Sequence, residues 1–91
     1  MNESKLNYTC AITLALAFLT SWEEDHRKEP GQKIRRCWKG FLFEVMDELE
    51  QRGYIRASKG SRSLQVTDAG VAIGKDLSEH LRQAFAAWIA K

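Results

Sequence analysis

The segment Arg56-Ala57-Ser58-Lys59-Gly60-Ser61-Arg62 sets three cations around a Ser-Lys-Gly-Ser turn. Cations at this spacing on a hairpin tip would lie over phosphates, each contact releasing counterions and making binding salt-dependent. The competing expectation is a solvated turn, since basic tips also keep strand edges from pairing. A larger positive block holds Arg27, Lys28, Lys33, Arg35, Arg36 and Lys39 against Glu29 alone. It too would suit phosphate. However, Glu29, Pro30 and Gly31 interrupt any continuous basic face, which favours neutralisation of a neighbouring acidic helix in the same chain or in a partner subunit.

Trp38 and Phe41 could stack on bases as aromatics do in single-strand binders. The usual burial of aromatics instead places Trp38 beneath the helix that follows. Trp22 and Trp88 read as core or interface anchors. No catalytic constellation emerges. His26 and His80 stand alone in polar surroundings, and no glycine-rich phosphate loop or nucleophile elbow occurs. Cys10 reads as a small core residue. Cys37 has basic neighbours that would lower its thiol pKa if exposed, but no resolving cysteine is evident. Glu44, Asp47 and Glu48 read as a wet helix face rather than a metal site. The chain is expected to be no enzyme and to need no metal or cofactor.

The 91 residues make one domain with a formal charge of +2, which by itself demands neither nucleic acid nor a membrane. The charge is nonetheless arranged in blocks of alternating sign. Residues 1–25 are acidic through Glu23, Glu24 and Asp25; residues 26–40 are basic; residues 41–55 are acidic; residues 56–62 are basic. Two cysteines without metal spacing suggest free thiols in an intracellular protein. The apolar run Cys10 to Leu19 lacks a small-residue cleavage site after it. It also falls short of the roughly twenty residues a spanning helix needs. A cytoplasmic protein with no membrane association is expected.

These residues must be positioned by a few elements. Ser4 to Glu24 is predicted as a first helix with two apolar stripes. One holds Tyr8, Ile12, Ala15, Leu16, Leu19 and Trp22; the other holds Ala11, Leu14 and Phe18. Residues 25–36 read as an exposed basic loop around Pro30-Gly31, and Gly40 as the end of a single helical turn. Phe41 to Arg52 is the clearest helix, with Leu42, Val45, Met46 and Leu49 inward and Gly53 as its stop. Tyr54 to Ala57 and Ser63 to Thr67 read as a hairpin, with Leu64 and Val66 on one side. Thr67 or Asp68 caps a last helix to about Ala90, its inward stripe being Ile73, Leu77, Leu81, Ala84, Phe85 and Trp88.

Leu49-Glu50-x-Arg52-Gly53-Tyr54-Ile55, a basic turn, and Leu64-x-Val66-Thr67-Asp68-x-Gly70 together resemble the wing region of MarR- and PadR-type regulators. Over more of the chain, Leu19-Thr20, Trp38-Lys39-Gly40-Phe41, Met46-Asp47-x-Leu49, Gly53-Tyr54-Ile55, Arg62-Ser63 and Thr67 with Gly70 are similar to a family of short bacterial proteins classed as a domain of unknown function. The stretch from Glu24 to Arg36 is longer and more basic than that family leads one to expect. These likenesses imply a mainly α fold with one β-hairpin, a winged helix-turn-helix variant with a degenerate second helix. They imply no activity.

In that fold the helix from Phe41 occupies the reader's position, yet it would turn Glu44, Asp47, Glu48 and Gln51 outward. Carboxylates against a phosphate-lined groove should cost on the order of 1 kcal/mol each at low salt, so duplex insertion is disfavoured. The first expectation is therefore a small nucleic-acid-binding regulator gripping phosphates through its loop and hairpin. The alternative is a protein-interaction module that has kept the scaffold without DNA binding, its acidic face suited to a basic protein partner. The apolar first and last helices suggest a homodimer, with Leu14, Phe18, Trp22, Phe85, Trp88 and Ile89 at its interface.

Overall fold

The computed structural model describes residues 1–26 and 28–90. Arg27, expected among the phosphate-contacting residues, lies outside them. The order is α1 (Glu3–Leu19), β1 (Trp22–Asp25), β2 (Lys33–Trp38), α2 (Phe43–Gln51), β3 (Ile55–Ala57), β4 (Ser63–Val66), α3 (Asp68–Ala84) and α4 (Ala86–Ile89). All strand pairs are antiparallel, in the order β1-β2-β4-β3. The protein is helix-rich with a four-stranded sheet, rather than helical with a single hairpin.

The largest departure from expectation lies at residues 20–38. α1 starts where Asn2 Oδ1 accepts from the Lys5 amide at 2.8 Å, and it stops at Leu19 rather than Glu24. Thr20 and Ser21 turn their hydroxyls back onto the Leu16 and Phe18 carbonyls. The next four residues pair with β2 in a register that sets Glu23 opposite Arg35 and Asp25 opposite Lys33. Opposite charges directly across an antiparallel pair stabilise it. The supposed loop is thus a second hairpin, with Pro30-Gly31 in its connection and the His26 amide donating to the Gln32 carbonyl at 2.9 Å.

β2 continues through Cys37 and Trp38, so no helical turn precedes Gly40. Lys39–Leu42 is irregular, and α1 and α2 are separated by strands rather than joined by a turn. The degenerate second helix is absent from the described residues. α2 begins at Phe43, and Leu42 is its exposed N-cap rather than a member of the buried row. Val45, Met46 and Leu49 do turn inward, and Gly53 (φ 80°) ends the helix in the left-handed region.

The core joins Cys10, Leu14 and Ala17 of α1 to Cys37, to the buried α2 residues, and to Ile55, Leu64 and Val66. α3 is capped by Thr67, whose hydroxyl accepts from the Gly70 amide at 3.1 Å and donates to the Gly53 carbonyl at 2.6 Å. Its only buried residues are two glycines: Gly74 lies against Leu14 and Phe18 of α1, and Gly70 against Tyr54 and Val66. Ile73 is 41 % exposed and Phe85 breaks the helix, so the continuous inward stripe to Trp88 does not form. Tyr8, Ile12, Leu16 and Leu19 on α1 are likewise exposed.

Candidate functional site

Successive strand residues point to opposite faces of a sheet. Cys37, Leu64, Val66 and Ile55 fill the core, and register therefore assigns their alternates to the other face. Trp22, Arg36, Gln65 and Arg56 form one row across all four strands there, with Trp38 and Ser63 in the adjacent row. An open trough of about 670 Å³ runs over this face, lined by Trp22, Ile34, Arg36, Trp38, Ser63 and Gln65 among others, with His26 and Lys28 also on its wall.

The position of Trp38 corrects the expectation that it packs beneath α2. Its neighbour Cys37 is fully buried, so strand alternation turns the indole outward, where it is 64 % exposed. Its ring meets Trp22 at 5.0 Å between centroids, tilted by 47°, within the range of favourable aromatic pairs. Trp22 is fixed in turn by a hydrogen bond from its indole nitrogen to Glu24 at 3.1 Å. Trp22 is thus half-buried within the sheet face rather than placed beside α3 and α4 at a helical interface.

Charge on β1 and β2 is largely paired, on both faces of the sheet. Lys33 meets Asp25 at 2.6 Å, Arg35 meets Glu23 at 3.2 Å, and Arg36 meets Glu24 at 3.7 Å. Arg35 also donates to Ser21 Oγ and lies 5.3 Å from the centre of the Phe18 ring. Arg36 donates to Ser63 Oγ at 2.9 Å and to its carbonyl at 3.3 Å. Exposed pairs of this kind add little stability, but they leave these three cations already partnered. The acidic segment they neutralise is β1, not α2.

The cations without a carboxylate partner among the described residues are elsewhere, two of them, Lys5 and Lys75, on α1 and α3. Arg56, Lys59 and Arg62 are exposed on the β3–β4 hairpin and make no ion pair there. Lys39 reaches the same hairpin, its amide donating to the Arg62 carbonyl at 3.0 Å and its Nζ to the Ser58 carbonyl at 2.7 Å. Lys28 is exposed at the trough. α2 presents the opposite sign, with Glu44, Asp47 and Gln51 exposed and Glu48 paired with Arg52 at 3.0 Å.

A second surface is apolar. Leu19, Leu81, Phe85, Trp88 and Ile89 line an open groove of about 710 Å³ between α1 and the end of the chain, with Phe85 53 %, Trp88 69 % and Ile89 56 % exposed. Leu14, expected at an interface, is 1 % exposed and belongs to the core, because α3 and α2 cover that side of α1. Phe18 is half-buried, close to Gly74 and beneath Arg35.

Both cysteines are buried and free. Burial pushes the Cys37 thiol up to about 11, overriding the opposing effect of Arg36; burial also raises Cys10. The basic neighbours of Cys37 therefore do not activate it. A thiol-reactive reagent at about pH 8 should label neither cysteine until the protein is denatured; rapid labelling of the native protein would contradict this. The folded state holds these protons after the unfolded chain has released them, so stability should fall as pH rises above 9.0 toward about 11.

Among the described residues no cluster of His, Cys, Asp and Glu could hold a metal ion, and no helix is long and apolar enough to cross a membrane. A family model described as a domain of unknown function, DUF6429, matches residues 9–84. The chain belongs to this family. The DUF6429 match takes in the whole sheet, the hairpin cations and α3, and it stops short of α4, which carries Trp88 and Ile89. No curated protein and no solved structure matches the chain. Sequence reasoning misses the trough although its signal is present: Trp22 and Glu24, then Arg36 and Trp38, alternate with period two on either side of the Pro-Gly connection.

Proposed function

We propose that this protein is a small cytoplasmic nucleic-acid-binding regulator that holds phosphates with its β3–β4 hairpin and keeps α2 clear of them. The observation that carries this is the distribution of free charge. After β1 has neutralised Lys33, Arg35 and Arg36, three unpaired cations, Arg56, Lys59 and Arg62, gather on the hairpin with Lys39 at its base, while Lys5, Lys28 and Lys75 stand apart from one another. The hairpin follows α2 as a wing follows a reading helix, in keeping with the likeness of Leu49 to Gly70 to winged-helix regulators. α2 itself presents Glu44 and Asp47 and would be repelled by a groove. Titrating labelled oligonucleotides at about 50 mM and about 200 mM salt tests this: binding should weaken steeply with salt. Absence of binding at the lower salt would sink it.

A second function, protein interaction through a homodimer, is favoured by the exposed groove of Leu19, Leu81, Phe85, Trp88 and Ile89. Apolar surface of this kind marks association sites when it is contiguous. The two functions are compatible, since the groove and the hairpin involve different residues. Trp88→Glu should weaken a dimer by roughly 30-fold or more, as loss of a tryptophan hot spot does, without unfolding the monomer. Sedimentation of the unaltered protein as a monomer at micromolar concentration would remove the dimer.

A further inference from the structure

We infer that the open sheet face takes the bases of a single-stranded nucleic acid, stacking them on Trp38 and Trp22 while the hairpin holds the phosphates. This rests on the phosphate-binding function proposed above and names its substrate class. Trp38 carries the inference. A strand position facing water is ordinarily filled by a polar side chain, yet here an indole stands 64 % exposed and braced against a second indole. Trp22 is itself held by Glu24, so the pair forms a fixed platform rather than two loose rings. Stacking of this kind tolerates any base, because every base has a π face.

The surrounding chemistry suits the same ligand. Gln65 lies in the row between Arg36 and Arg56, so an amide with both donor and acceptor capacity lines the trough beside the planar guanidinium of Arg36. Arg36 is oriented by both Ser63 oxygens. The two carboxylates on the trough, Glu24 and Asp25, are tied to Arg36 and Lys33, which reduces their repulsion of phosphate. The row spans roughly 14 Å at ordinary strand spacing, comparable to four-stranded sheets that stack two or three bases. A duplex has no free base faces to offer this platform, and α2 is acidic where a duplex reader would be basic.

The test uses the full chain with a mixed-sequence oligonucleotide of about twelve nucleotides, as single-stranded DNA, as RNA of the same sequence, and as duplex DNA. Either single strand should bind at least about 10-fold tighter than the duplex and quench tryptophan fluorescence. Trp38→Ala should weaken single-strand binding by roughly 5- to 100-fold and leave duplex binding unchanged, while Trp38→Phe restores most of the loss. Duplex binding equal to or tighter than both single strands, or equal losses on both forms with Trp38→Ala, overturns the inference while leaving the phosphate contacts standing. No binding of any oligonucleotide at about 50 mM salt overturns both and leaves the trough to a protein partner. Should Trp38→Ala fail to fold, quenching of the unaltered protein decides. Quenching by single strand but not by duplex supports base stacking, and its absence rejects it.

Discussion

Gly70→Ala is expected to cost about 3 kcal/mol of folding stability, at the upper end of what overpacking does in a close-packed interior. A Cβ at Gly70 would fall 2.1 Å from the Tyr54 carbonyl oxygen and 3.0 Å from both the Tyr54 carbonyl carbon and Val66 Cγ1. The first two are backbone atoms, and the third belongs to a stiff β-branched side chain buried in the core. The Tyr54 carbonyl accepts from the Thr67 amide at 3.0 Å, and the Tyr54 amide donates to the Leu49 carbonyl at 3.0 Å. The contact therefore locks the end of α2, the start of β3 and the cap of α3 together, and relief requires α3 to pull away. Helix propensity alone gives the opposite sign, since alanine is favoured over glycine by about 1 kcal/mol in a helix interior. A domain of this size has roughly 5–14 kcal/mol in all, so the melting temperature should drop by roughly 15 °C. A melting temperature unchanged or raised, followed by circular dichroism, would show that α3 does not sit against Tyr54.

Removing the hairpin charges together, as Arg56→Ala, Lys59→Ala and Arg62→Ala, should weaken oligonucleotide binding by roughly two to three orders of magnitude at about 50 mM salt. The side chains are exposed and make no ion pair among the described residues, so the fold should survive their truncation. The loss has a signature beyond its size. Each phosphate contact contributes about 0.7 to the logarithmic salt slope on a single strand, so the triple variant should lose about 2 from it. Replacing Lys33 alone should do much less, because its charge is already matched by Asp25 at 2.6 Å. Equal losses from Lys33→Ala and from the triple variant would mean that the β1–β2 pairs open to meet phosphate.

The elements legible in the sequence were those whose pattern is local. Leu64 and Val66 alternate with polar residues, and both are buried in β4. Val45, Met46 and Leu49 recur at helical spacing and face the core. Thr67 caps α3 through a contact three residues away. β1 and β2 were not legible for a physical reason. Their pairing is encoded in a relation between Glu23, Glu24, Asp25 and the cations Lys33, Arg35 and Arg36, which local periodicity does not register. With one face of the sheet open, apolar alternation is weak on both strands. The usual burial of aromatics misplaces Trp38, because the chain there is still a strand and alternation with buried Cys37 turns the indole outward. Phe85 and Trp88 matched a helical stripe, but that stripe extends beyond the sheet and α1 has only Leu19 to place near it in the groove.

Chemical-shift mapping of the labelled protein during titration with a short single-stranded oligonucleotide tests most directly where nucleic acid is held. The expected perturbations run through Arg56–Gln65 and Arg36–Lys39, include the Trp22 and Trp38 indole signals, and spare Glu44–Gln51. Perturbation centred on α2, or none at all at low salt, would contradict the account.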